Sequence, residues 1–255
     1  MAQEMYYYGQ GEVLLAPIVN NVPGKYRKIG DVSSLKLAME LEKVEHKESY
    51  SGQKALVRSF PIGKKSTLTA TLHDLNVENL ALTLFGKPLI TPGGTVTSET
   101  LPADMKAGDM AMLAHPGVSE VVVTDSATGP ATLDPKHYSV SPHGGLTLLS
   151  LPVPPPAQPF KVAYRYAEAK AVSIFTAPQP LVALRYEGIN LAENGAPVIV
   201  DLYKVATDPL KELAFITDGG DVAGMEISGG VLLDSSKPAD GDLGRFGRII
   251  QVGVS

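Results

Sequence analysis

The amino-acid sequence predicts a mainly β fold, and three observations lead to that prediction. Apolar and polar residues alternate along several short stretches, which is the period of a strand with one buried face. The 255 residues include 25 glycines and 20 prolines but only six phenylalanines and no tryptophan, a composition that favours many turns between short strands. A helical spacing of apolar residues occurs clearly in one stretch alone.

The first alternating stretches predict a long hairpin. In SLKLAMEL, residues 34–41, leucine or methionine occupies every second position, and KKSTLTATL, residues 64–72, alternates threonine with leucine and alanine. Threonine suits the half-exposed surface of a strand. The segment between the two stretches is polar and contains Ser51-Gly52, so an antiparallel hairpin is the simplest connection.

One helix is predicted at about residues 76–85. Asp74 or Asn76 can cap its start, Gly86 can end it and Pro88 prevents its continuation. The apolar residues that follow the spacing of one helical face are Val77, Leu80, Ala81, Leu84 and Phe85.

Residues 95–168 read as an inserted small β domain, which leaves 1–94 plus 169–255 as a discontinuous main domain. Glycine- and proline-rich turns separate short β-like runs here, namely SEVVVT, LTLLSL and FKVAYRY. Proline removes amide donors, so the proline-rich run 152–159 is expected to be a connector. A structureless loop of this length would be rare inside a compact domain.

After the insertion the strand patterns resume. VIVDLY is apolar on both faces, which predicts a central strand, and Asp201 within it is expected on a polar face or at an interface. The further predicted strands are AVSIF, LVALRYEG, PVIVDLYKV, LAFI and GRIIQVGV.

Composition excludes several classes of protein. The chain has no cysteine, so disulfides, thiolate metal sites and cysteine nucleophiles are ruled out, which fits assembly in a reducing cytoplasm. A net charge of −5 argues against sequence-independent nucleic-acid binding. There is no signal-peptide pattern at the N-terminus and no apolar run approaching the ~20 residues of a membrane span, so membrane insertion is not expected.

The most chemically suggestive stretch is LEKVEHKESYSGQKAL, residues 41–56. Glu42, Glu45 and Glu48 surround His46, but a metal site needs several ligands that converge on one point. Only residues an even number of positions apart share a face of a strand. Glu42 therefore joins neither Glu45 nor His46 around one ion unless the strand bends. A charged hairpin tip in water is the favoured interpretation.

The sequence contains no recognisable catalytic motif. There is no serine nucleophile elbow, and Gly9–Gly11 lacks the context of a dinucleotide fingerprint. Asp218 and Asp221 could flank a glycosidic bond or contact calcium, but the segment TDGGD fits a tight turn better. We therefore expect no enzyme, no catalytic residue, no bound metal and no cofactor.

The order of features along the chain resembles the tail tube protein, or major tail protein, of long-tailed bacteriophages over roughly residues 9–90 and 171–252. The most specific pieces are Gly30-Asp31, Glu45-His46, Glu48-Ser49 with Gly52, Asn79-Leu80 with Gly86, and RYEGIN at Arg185 to Asn190. None of these is a catalytic motif.

The resemblance implies a β-sandwich or barrel-like subunit with one packed helix. Homohexameric rings of such subunits stack into a hollow tube that conducts double-stranded DNA, without specific binding, during genome ejection. The implied partners are the chain itself, a tape-measure protein inside the tube and other tail proteins. The implied location is the virion tail, after assembly in the host cytoplasm, with residues 95–168 on the tube exterior. An acidic surface facing the bore would help DNA to pass.

Contacts between subunits and rings are expected at the hairpin tip. The residues expected to make them are Glu42, Lys43, Glu45, His46, Lys47, Glu48, Ser49, Tyr50 and Lys54. Two alternatives stay open. The first is another virion part, such as a terminator, baseplate or decoration protein. The second is a carbohydrate-binding β module that uses Tyr138, Tyr164 and Tyr166 as stacking surfaces.

Overall fold

The structure, a computed structural model, describes residues 5–217, 219–220, 222–239 and 241–253. It is mainly β, with 49% strand and 5% helix, so the predicted fold class is confirmed. The chain divides into two compact units, residues Met1–Pro88 with Val172–Ser255, and Leu89–Ala171. The boundaries expected from the sequence, 95 and 168, fall inside the second unit.

The secondary structure of the described residues is a succession of strands with one α-helix and two 3-10 turns. In chain order it consists of β1 (Gly9–Val19), β2 (Val22–Pro23), β3 (Arg27–Lys28), β4 (Val32–Lys47), β5 (Leu56–Leu72), α1 (Val77–Thr83), β6 (Pro88–Thr91), β7 (Gly94–Thr100), β8 (Met110–Met112), β9 (Val118–Thr124), a 3-10 turn (Pro135–His137), β10 (Tyr138–Val140), β11 (Gly145–Leu148), β12 (Lys161–Tyr166), β13 (Ala169–Val172), β14 (Leu181–Asn190), a 3-10 turn (Leu191–Glu193), β15 (Ala196–Thr207), β16 (Met225–Val231) and β17 (Gly247–Gln251).

The first unit is built on a nine-stranded sheet with the order β2-β1-β14-β15-β16-β5-β4, to which β3 and β17 add. Strand β15 is central, as VIVDLY predicts. It pairs with β14 on one side, while β17 and β16 pair with successive parts of it. Val13 of β1, Leu184 of β14 and Leu68 of β5 belong to one buried cluster. The two ends of the sheet therefore share a core.

The predicted hairpin is confirmed as the antiparallel pair β4–β5. Its register joins Leu35 to Ala70 and Leu37 to Leu68. Leu68, Ala70 and Leu72 are buried, because alternate residues of a strand face the same side. Leu35 and Leu37 pack against the same core.

The predicted helix is confirmed over Val77–Thr83, with the Asn76 side chain accepting a hydrogen bond from the Asn79 N–H at 2.9 Å. Its C-terminus differs from the expectation. Phe85, and not Gly86, adopts the left-handed conformation, with φ 48°. Gly86 donates its N–H to the Ala81 carbonyl at 2.9 Å, as in a Schellman cap. A Cβ on Gly86 would lie 1.8 Å from the Ser173 carbonyl oxygen, so close packing requires the glycine.

The second unit contains two three-stranded antiparallel sheets, β10-β11-β8 and β7-β12-β9. Phe160, Val162 and Tyr164 of FKVAYRY are buried in the core of this unit, and SEVVVT lies in β9. LTLLSL forms a strand only at its start, in β11, and the proline-rich run 152–159 forms none.

Two predicted strands differ from the structure, and several observed strands, among them β1 and β16, were not predicted. LAFI, residues 213–216, is not a strand, and AVSIF is a strand only as far as Val172. Residues 9–19, for which no strand is predicted, form the eleven-residue strand β1, paired with β14 from Gly9 to Pro17. Strand β16 was not anticipated, because Ser228, Gly229 and Gly230 interrupt its apolar alternation.

Candidate assembly surface

The β4–β5 hairpin extends beyond the sheet that anchors it. Strand β5 pairs with β16 only through residues 67–72, so residues 56–66 pair with β4 alone in the described part of the chain. The other side of β4 has no partner strand among the described residues. Unpaired strand edges present backbone donors and acceptors to another chain. Among the described residues, both edges of the outer part of the hairpin therefore lack a partner strand.

The apolar stripe of β4 continues past the core of its own unit. Leu35, Leu37, Met39 and Leu41 share one face, but Met39 is 81% exposed and Leu41 is also exposed. Beyond them a register shift occurs between Glu42 and Lys43, as an extra residue on β5 produces. Met39 and Leu41 thus stay exposed in the described part of the chain.

Met39 and Leu41 form one wall of an apolar groove of about 490 Å³ in the first unit. Ile249 of β17, 64% exposed, stands on the other side. Further apolar residues that line the groove are Leu37, Val200, Leu202, Val231 and Phe246. The groove thus joins the hairpin to the C-terminal strand.

An ion cluster holds the strands beneath this groove together. The two carboxylate oxygens of Asp201, on β15, accept hydrogen bonds from Arg185 Nη1 at 2.8 Å and Arg248 Nε at 2.9 Å. Arg185 Nε donates to Glu187 at 2.6 Å, and this bond is the main cause of a raised Arg185 pKa, which burial partly opposes. Asp201 alternates with Val200 and Leu202, so the cluster lies on the opposite face of β15 from the groove. Asp201 therefore lies on a polar face of its strand, which is one of the two positions expected from the sequence.

The model of a family described as Protein of unknown function UCP028589 matches residues 6–250. The chain belongs to this family. No curated protein matches it. The family match spans both units and so includes the hairpin, the groove and the ion cluster of this family member.

Most residues expected at the hairpin tip are exposed. Within the described part of the chain none of them takes part in a salt bridge, so no ion pair inside the subunit uses their charges. The exposed members of the set are Glu42, Lys43, Glu45, His46, Lys47, Ser49, Tyr50 and Lys54. Whether they contact another subunit remains a prediction.

Glu48 is the exception, and the expectation that every charged side chain of the tip lies in water is wrong for it. The residue is 5% exposed because its own loop wraps around it. Its carboxylate accepts hydrogen bonds from the N–H groups of Tyr50 at 2.9 Å and Ser51 at 2.8 Å, and from the Ser51 hydroxyl. These bonds, led by the Ser51 hydroxyl, lower the pKa of Glu48. Glu48 therefore shapes the tip from inside.

Three of the five histidines make structural contacts. His73 Nε2 lies 2.9 Å from Ser33 Oγ, His137 Nδ1 lies 2.7 Å from Ser150 Oγ, and His115 stacks on Tyr166 with ring centroids 3.8 Å apart. Among the described residues no group of three or more histidine, aspartate or glutamate side chains could hold a metal ion. Asp218 and Asp221 lie outside the described residues. No helix in the described part of the chain is long and apolar enough to cross a membrane.

Two of the three tyrosines proposed for carbohydrate stacking belong to the core of the second unit. Tyr138 and Tyr164 are buried, and Tyr166 is half-buried beneath His115. Burial, reinforced by a hydrogen bond to Glu99, raises the pKa of Tyr164 to about 12. These rings therefore do not form an open platform for a sugar.

Sequence reasoning missed Phe246 and Ile249, the C-terminal side of the groove. GRIIQVGV indicates a strand, but its alternation does not reveal which face another element leaves uncovered. One sequence feature could have revealed the uncovered surface. The apolar alternation of SLKLAMEL is longer than a typical short strand, so part of it extends past the core.

Proposed function

We propose that this chain is a structural subunit that assembles with copies of itself, as a phage tail tube protein does. Hexameric rings would stack into a hollow tube that conducts DNA during ejection. The observation that carries the proposal is the β4–β5 hairpin, whose outer part has no partner strand on either edge among the described residues and exposes Met39 and Leu41 of its apolar stripe. Ring closure pairs such edges with those of a neighbour and removes the hazard of uncontrolled association.

The hairpin combines the two kinds of contact that an ordered assembly needs. Burial of exposed apolar side chains such as Met39, Leu41 and Ile62 supplies association energy, at about 25 cal/mol per Å². The charged tip contributes little affinity, about 0–1 kcal/mol per exposed pair. Complementary charges instead favour one orientation and register over others.

The remaining assignments follow from the same proposal. The second unit would lie on the tube exterior, because six copies of it do not fit in a bore. The tape-measure protein and DNA would occupy the lumen, other tail proteins would contact the tube ends, and the location would be the virion. No catalytic role is proposed.

Assembly of the purified full-length chain tests this function. Negative-stain microscopy should show tubes of uniform bore, and mass measurements should show rings growing from subunits as concentration rises. A monomer at every concentration would contradict the proposal. Rings that never stack would favour the alternative of a terminator or another virion part.

A matched pair of variants tests the hairpin itself. Met39→Glu places a charge on the exposed apolar stripe, whereas Ala38→Glu places it on the opposite, polar face of the same strand. Met39→Glu should prevent assembly without lowering the melting temperature, and Ala38→Glu should affect assembly much less. Equal effects of the two variants would argue that the stripe is not an interface.

A further inference from the structure

The loop that connects β15 to β16 is held to the sheet near its start. Further along, it carries two adjacent exposed apolar residues, Phe215 and Ile216. The Asp208 N–H donates to the Ser228 carbonyl and the Leu210 N–H to the Thr83 carbonyl, both at 2.8 Å, and Leu213 packs against the core of the first unit. Past these contacts, Phe215 is 89% exposed and Ile216 is 93% exposed. Adjacent large apolar side chains exposed to this extent indicate a contact that the single chain does not make.

Neither Phe215 nor Ile216 lines the apolar groove of its own unit. The loop rejoins the sheet at Met225, which pairs with Leu72, while Met39 pairs with Ser66. Six residues of β5 separate Leu72 from Ser66, which is roughly 20 Å at the rise of a strand. We call the Phe215–Ile216 pair the knob; the knob and the groove are two different surfaces of one subunit.

The two surfaces have opposite charge. The described residues 208–217 of the loop contain two acids, Asp208 and Glu212, and one lysine, Lys211, a net −1. On the groove face Lys64 pairs with Leu41 and takes part in no salt bridge among the described residues, while Arg248 is already paired with Asp201. An unpaired lysine beside an apolar floor suits an acidic loop with an apolar tip.

We propose that Phe215 and Ile216 of one copy insert into the groove between Met39 and Ile249 of the next copy. This rests on the proposed function and adds to it the surfaces that meet. The contact is heterologous, since a knob on one subunit fills a groove on another. Repetition of such a contact closes a ring or continues as a helix.

The absence of cysteine from the chain gives a direct test. Ile216→Cys and Ile249→Cys are made in separate full-length chains, which are then mixed under assembly conditions and oxidised. A disulfide-linked dimer should form in the mixture, at least tenfold more than in either variant alone. Ile216→Cys mixed with Ala38→Cys, on the opposite face of the hairpin, is the matched control and should give only the background of random collisions.

The outcomes separate this inference from the proposed function. A strong Ile216–Ile249 link that Met39→Glu abolishes supports the contact. Rings or tubes that give no link above the Ala38 control overturn the contact but leave tube assembly standing. A link within one doubly substituted monomer also overturns it, because the loop would then cover its own groove. Monomers at all concentrations contradict both.

As a second measure, Phe215→Asp should raise the concentration for half-assembly at least tenfold while leaving the melting temperature unchanged.

Discussion

Asp201→Asn tests whether the ion cluster holds the C-terminal strand on the sheet. The substitution changes little in shape but removes the negative charge that both Arg185 and Arg248 contact. One amide oxygen remains to accept from one arginine, and the amide nitrogen faces the other guanidinium as a second donor. Strand β17, which pairs with β15 from Val198 to Leu202, should lose part of its attachment.

The exposure of the three side chains sets the size of the effect. Removal of one partner from a fully buried pair costs about 3–5 kcal/mol. Here the Asp201 side chain is 13% exposed, but those of Arg185 and Arg248 are 30% and 38% exposed, so water recovers part of the loss. We expect Asp201→Asn to lower the free energy of unfolding by about 2 kcal/mol, between the buried and the surface limits.

Urea unfolding followed by circular dichroism measures this change, since the chain has no tryptophan. Glu187→Gln is the matched control, because it removes the more exposed partner of Arg185 and should cost no more than about 1 kcal/mol. Hydrogen exchange at the amides of β17 should accelerate in Asp201→Asn and not in the control. If both variants lose the same small amount, the cluster does not stabilise the strand as argued.

Two further predictions concern the hairpin tip and the helix end. The bonds that lower the Glu48 pKa stabilise the tip fully above the carboxyl's ordinary value of 4.5 and disappear as the pH falls through the lower folded value. Exchange protection of the Ser51 amide should therefore decline only below pH 4.5 and should be weak at every pH in Glu48→Gln, with Glu45→Gln as the unaffected control. Gly86→Ala should cost at least about 1–3 kcal/mol in urea unfolding, because its Cβ would meet the Ser173 carbonyl at 1.8 Å; a neutral result would exclude that close approach.

The parts of the fold that the sequence predicts well are those in which one local rule operates alone. The hairpin strands alternate because one face is buried, and the helix has both its period and its Asn76 cap. LAFI misleads because four apolar residues suit a strand, a buried turn or an exposed knob equally. Strand β16 is hidden by Gly229, which packs so closely that a Cβ would lie 2.6 Å from the Ala206 carbonyl oxygen.

The candidate site was predictable only in part for a different reason. Exposure of the tip follows from its composition, but burial of Glu48 depends on a loop whose backbone turns through positive φ at Gly52 and Lys54. The groove joins Met39 to Ile249 across most of the chain, and no local pattern reports such a meeting. Long-range packing therefore decides which apolar residues of a correctly predicted strand stay uncovered.

Charge on the hairpin changes the expectation of an acidic bore. Residues 40–65 contain six basic and four acidic residues, a net +2, so the excess acid of a chain with net charge −5 lies elsewhere.

In the proposed tube the apolar face of the hairpin is used for packing, which leaves the opposite face of β4 and β5 to line the lumen. Between Val32 and the register shift at Glu42, the charged residues of that face are Lys36, Glu40, Glu42 and Lys65, beside Thr67, Thr69 and Thr71. Two positive and two negative charges cancel at distances comparable to the ~8 Å screening length in physiological salt. Such a surface neither releases counterions on contact with phosphate nor repels it strongly, so passage of DNA would depend on balanced charge and neutral hydroxyls, not on an acidic lining.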